Sequence, residues 1–230
     1  MVADTWRTTW VSEKCAIARA LAAGQAGGGY GEAAIIISAA ISALAAEVWP
    51  GRGIDRVRFI ELLVRFAPAS DTTKISIPLL VQELSPSSEA AHAETLRKAF
   101  LPSSPARLIT SSVDQLESEV LRVCPQLQTE RLCKFSYACL LYEEVRSSYA
   151  HQYKSGARAE SWLVSSAAAG ESAGYANRLV GPDLSVTQKL IHFHVEWLMQ
   201  VAEALAGNID ARRGAIPVSS PALWWINGAP

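Results

Sequence analysis

Two side chains in the second half of the chain have the chemistry to move a proton beside a phosphate: Arg146 and His151, within Arg146-Ser147-Ser148-Tyr149-Ala150-His151-Gln152-Tyr153. A histidine gives or takes a proton near neutral pH. An arginine offers a planar fork of donors to the non-bridging oxygens of a phosphate. Metal-free cleavage of RNA needs these parts: a base for the 2′-hydroxyl, an acid for the leaving 5′-oxygen, and positive charge where negative charge builds. On a regular helix the two residues lie about 140 degrees apart, so one copy converges poorly on one phosphate. Either the helix ends near Ala150 and swings His151 round, or two copies share the site across a two-fold axis.

Neighbouring groups extend this constellation. Ser147 precedes His151 by four on the same helical face and can orient it or contact phosphate. Tyr153 can stack on a base or simply pack at a helix end, and Lys154 and Arg158 can meet an RNA backbone. Glu143 and Glu144 either orient Arg146 or are solvated helix positions.

Other chemistries lack their residues. There is no His-Glu-x-x-His. The cluster from Gly24 to Gly31 lacks the Gly-Lys-Ser/Thr ending of a phosphate loop and reads as a connector. His192 and His194 fall in a stretch that reads as helix, where residues two apart diverge by about 200 degrees, so no metal site is predicted and no cofactor is implied. Cys15, Cys124, Cys133 and Cys139 form no Cys-x-x-Cys pair, and Met1 to Trp10 has no apolar core, which suggests free thiols in a reducing cytoplasm. A net charge of -1 rules out a chain coated in positive charge, so RNA has to be met by a local patch or a partner subunit.

The elements that must position these groups read as helices. Asp4 to Ala23 is a first helix capped by Asp4. Glu32 to Trp49 is a second, apolar nearly all round. Its run from Ala33 to Ala46 carries no charge but is shorter than the about 20 residues a membrane span needs, so it is expected in the core. Asp55 to Phe66 is amphipathic, with Arg56, Arg58 and Arg65 off its apolar face. Residues 68–110 read as an insertion packed on the bundle, containing a short apolar piece at Ile75 to Leu84 and a surface helix at Ser87 to Leu101. Ser112 to Cys124 is a helix, and Thr129 to about Lys154 is the longest. Residues 157–185 read as a loop or hairpin, Val186 to Ala206 as the last helix, and 207–230 as a tail whose Leu223-Trp224-Trp225-Ile226 can dock on an apolar groove. The expected fold is all-α: one bundle of five to six helices over 1–206 with a short non-helical insertion.

With Arg146 and His151 at the end of a long amphipathic helix, the sequence resembles the HEPN superfamily, helical domains many of which are metal-independent ribonucleases with an Arg-x4-6-His motif. With Tyr153 it is also similar to the Arg-x4-His-x-Tyr form of some toxins in toxin-antitoxin pairs. The resemblance implies catalytic roles for Arg146 and His151, support from Ser147 and Tyr153, and a homodimeric cleft. It also implies an RNA substrate, and an antitoxin or defence-system partner that can modify Tyr153 with AMP. The alternative is a non-catalytic module of the same scaffold that binds nucleotide, RNA or a partner protein. In it, Ser147 stands where active members often carry Asn, Asp or His.

Overall fold

Helical periodicity in the first third of the chain is realised almost residue for residue. The computed structural model describes residues 6–68, 72–103, 109–160 and 170–212. It begins with α1 (Trp6–Ala22), a 3-10 turn at Gln25–Gly27, α2 (Tyr30–Val48) and α3 (Asp55–Phe66). The expected cap Asp4 lies outside the described residues. By length and composition α2 is apolar enough to cross a membrane. In this fold it is the central helix, packed against α1, α3 and the last helix, with Ala33, Ile37, Ile41, Leu44 and Ala45 buried. Arg7 on α1 ties these layers together, bonding Glu47 at the end of α2 and, at 2.9 Å, Asp210 near the end of the chain's last helix.

The stretch read as an insertion contributes to the core instead of lying on it. α4 (Ile77–Leu84) starts with Pro78 in its first turn, where a missing N–H costs nothing. Ile75, Ile77, Leu80 and Leu84 are wholly buried. α5 (Ala90–Phe100) covers this helix from outside. A two-residue strand, β1 (Ile109–Thr110), and a 3-10 turn at Ser111–Val113 lead to α6 (Glu117–Val123) and α7 (Thr129–Cys133).

The single long helix expected over 129–154 is interrupted at 134–136. There the backbone forms long-range pairs: Ser76 N–H donates to Phe135 O at 2.9 Å, Tyr137 N–H to Lys74 O at 2.9 Å, and Ile75 bridges both Ser136 and Gln115. Ser136 then caps the restart, its Oγ accepting from Cys139 N–H. Helical backbone runs on through α8 (Tyr137–Leu140), a π-helical segment (Leu141–Ser147) and α9 (Ser148–Gln152).

The all-α expectation is corrected after residue 170. β2 (Ala173–Val180) and β3 (Val186–Phe193) form an antiparallel hairpin, with β1 completing a three-stranded sheet in the order β1-β2-β3. The last helix, α10 (Val195–Ala211), therefore begins nine residues later than the apolar spacing suggests. The reason is two-sided pairing. β3 bonds β2 along its length, and on its other side Ile191 N–H donates to Arg158 O and Glu160 N–H to Ile191 O, both at 2.9 Å. The molecule is mostly helical with this sheet attached. Residues 161–169 and the tail with Trp224 and Trp225 lie outside the described residues.

Candidate functional site

Arg146 and His151 sit on one uninterrupted stretch of helix. It runs through Gln152 and is closed by Tyr153 in a left-handed conformation at φ 54, so it does not end near Ala150. Arg146 lies in the π segment, whose five-residue bond spacing widens the turn and offsets the following residues relative to an α-helix. Ser148 Oγ reinforces the widened turn by donating to Glu143 O at 2.8 Å. Such π turns recur at functional sites. α2 presses on this helix closely: a Cβ on Gly31 would stand 3.0 Å from the Tyr149 ring, so only glycine fits without displacing it.

The charges divide into a satisfied set and a free one. Arg158 donates from Nε to Glu144 at 2.6 Å and from a terminal nitrogen to Glu143 at 3.0 Å, and it lies over the Phe135 ring. Arg56 meets the other oxygen of Glu143 at 2.9 Å. Glu143 and Glu144 thus serve Arg56 and Arg158 and do not orient Arg146. Arg58 and Arg65 are likewise taken up by Asp55 and Glu61, so the arginines of α3 form no open basic patch. Arg146 differs. Its Nε donates to Ser42 Oγ at 3.2 Å and its guanidinium lies 5.4 Å from the Tyr142 ring centre, yet among the described residues no carboxylate pairs with it.

His151 is exposed, and no described side chain bonds it. Ser147 is half-buried and does not bond His151, and Lys154 is exposed with no described ion-pair partner. Tyr153 is 66 % exposed and its hydroxyl donates to Glu32 Oε1 at 2.8 Å. That bond lowers the Glu32 pKa and raises the Tyr153 pKa. The structure therefore places Arg146, His151, Tyr153 and Lys154 along one helix end, and commits Arg158 to the scaffold.

The structure assembles two other clusters that the sequence reading did not bring together. Asp114 is buried and accepts from Ile77 N–H at 2.9 Å, from Tyr175 at 2.7 Å and from Tyr137. Ser76 Oγ also bonds Tyr175 at 2.7 Å. Burial pushes the Asp114 carboxyl up to about 7, against the pull of these donors. The second cluster is His192 and His194. The helical geometry that seemed to separate them does not apply, because both lie in extended backbone on the same side, ring centres 5.5 Å apart. His192 Nδ1 faces Glu160 O at 3.0 Å, and since a carbonyl only accepts, that nitrogen carries the proton. Burial lowers both imidazole pKa values. Among the described residues no third metal-ligating side chain completes a set with them. The four cysteines are free and buried, and burial raises the thiols of Cys15 and Cys133 to about 12, which keeps them unreactive.

The sequence matches no family model, no curated protein and no solved structure.

Proposed function

We propose that this protein is a metal-independent endoribonuclease of HEPN type, acting as a homodimer at paired Arg146 and His151 residues. One observation carries the reading. Among the described residues Arg146 keeps its charge free of carboxylates while the neighbouring arginines do not, and it shares a helix end with an exposed histidine. An uncompensated guanidinium on the same helix end as an exposed imidazole suits a phosphodiester once two copies combine.

In this mechanism His151 of one copy takes the 2′-hydroxyl proton as that oxygen attacks phosphorus. His151 of the other copy gives a proton to the departing 5′-oxygen, leaving a 2′,3′-cyclic phosphate and a 5′-hydroxyl. Arg146 holds the non-bridging oxygens as their charge rises. Because the helix continues past Ala150, sharing across a two-fold axis is the way to bring the second imidazole to the phosphate. Lys154 supplies backbone contact, and Tyr153 offers an exposed side chain, its hydroxyl held by Glu32, to a modifying partner in a toxin-antitoxin or antiphage setting.

The test is incubation of purified protein and its His151→Ala variant with mixed RNA in EDTA, followed by analysis of fragment ends. Cleavage by wild type alone with cyclic phosphate ends is expected. Undiminished cleavage by the variant, or none by the wild type, would overturn the reading.

A further inference from the structure

The hairpin of β2 and β3 projects beyond the helices. From Asn177 to Thr187 its residues are exposed or nearly so, including Leu179, Leu184 and Val186, each more than half exposed. Val186 shares its face of the hairpin with Val180, to which it is paired, and Leu179 with Thr187, so each face of the tip carries exposed aliphatic surface. Beneath it, between α4 and β3, runs a groove of about 700 Å³ whose apolar wall includes Pro78, Val81, Leu101 and Val186.

β3 is the outer strand of the sheet, and its free edge is used only in part. Ile191 pairs with the 158–160 segment, and Lys189 N–H donates to Gln82 Oε1 at 2.5 Å. In an antiparallel strand every second residue points its backbone groups to the same side, so Thr187 turns its N–H and C=O to the groove. No described residue bonds them. An open edge of this kind is a template for another strand.

Charge selects the strand. Among the described residues the charged side chains lining the groove are Arg97 and Lys189, and no carboxylate lines it. Arg97 is paired with Glu94 at 2.6 Å, whereas Lys189 is half-buried with no described carboxylate partner. A half-buried ammonium without a counter-charge is costly, and burial accordingly pulls its pKa down.

We propose that the groove between α4 and β3 receives an extended acidic segment of a partner protein, added as a strand along the Thr187 edge. Its backbone bonds Thr187, its aliphatic side chains fill the wall formed by Val81, Leu101 and Val186, and a carboxylate meets Lys189.

The experiment uses the full chain and a fluorescein-labelled peptide of sequence Val-Glu-Val-Glu-Val, followed by anisotropy, with Val-Lys-Val-Lys-Val as counterpart. The acidic peptide is expected to bind about tenfold or more tightly than the lysine one, and Lys189→Glu to remove about the same factor. Amide NMR of the wild type serves if that variant folds poorly: the peptide should shift the Thr187 and Gln188 amides and slow Thr187 exchange. Absence of binding, equal affinity for the two peptides, or unmoved Thr187 signals would overturn the proposal. So would a wild-type dimer in sedimentation that Val186→Lys abolishes, because the occupant would then be a second copy. None of these readouts depends on RNA cleavage.

Discussion

Removing the Tyr137 hydroxyl should cost more stability at alkaline pH than at mildly acidic pH. Tyr137 is fully buried, its ring wedged edge-on against Phe193 at 5.2 Å and Trp197 at 5.7 Å, and its hydroxyl donates to Asp114. Tyr137→Phe keeps the ring and deletes one donor. The unfolded chain releases the Asp114 proton near the ordinary value of 3.8, whereas the folded protein holds it to about 7. This group's contribution is thus fully present below pH 4, falls as pH rises to about 7 and then levels off. With one donor gone the folded carboxyl titrates higher still, so in the variant the fall continues beyond 7. Below that point the loss is a neutral hydrogen bond, ~1 kcal/mol, and above it a bond to a charged acceptor, ~2–3 kcal/mol. Urea unfolding of both proteins at pH 5.5 and 8.5 measures the two gaps. A gap that stays constant, or narrows toward pH 8.5, would refute the assignment of Asp114 as a carboxyl held protonated by burial.

Arg7→Ala should remove about 3 kcal/mol, because it leaves Asp210, whose side chain is 8 % exposed, without its counter-charge; a thermal melt should fall by roughly 6–12 °C. Gly156→Ala places a Cβ 2.0 Å from Glu144 Oε2 and 2.9 Å from Glu144 Cα, so it should dislodge the Arg158 pair and cost ~1–3 kcal/mol, which calorimetry would register. Arg146→Ala should leave the melt within ~0.5 kcal/mol of wild type, since among the described residues that arginine has one side-chain hydrogen bond and no ion pair. It should slow RNA cleavage by about 100-fold. Equal cleavage rates would remove Arg146 from the mechanism.

The sequence is legible where contacts are local. Asp55–Phe66 appears as read, and α2 and α5 begin and end within a few residues of their apolar patterns, because helix periodicity and caps act within a turn or two. It is illegible where distant backbone decides. Ser136 breaks the long helix only because Ile75, Lys74 and Ser76 arrive from sixty residues away to bond its neighbours. One local signal was present, a serine three residues before Cys139 in capping position. Val186–Phe193 has apolar residues that fit either a helix or a strand, and its β-branched Val186, Thr187 and Ile191 were the cue for the second. That choice then propagated: reading a helix there also separated His192 from His194.

The candidate site was legible in its residue types but not in its charge allocation. From sequence, Arg146 and Arg158 are equivalent cations that follow Glu143 and Glu144. A helix face would allow Glu143 to pair with Arg146 three residues on, and that pair would have silenced the arginine. The π turn works against it. By lengthening the turn from Leu141 to Ser147 it shifts the residues that follow, and Glu143 meets Arg56 and Arg158 while Arg146 lies toward Ser42 and the Tyr142 ring. A serine hydroxyl and an aromatic face hold a guanidinium in place without cancelling its charge. The irregularity in the helix and the availability of Arg146 are therefore linked. On the proposed ribonuclease reading, a substitution that restored regular α-helical bonding through 141–147 should bring Arg146 toward Glu143 and slow RNA cleavage even with both motif residues intact, and a cleavage rate equal to wild type would refute the link.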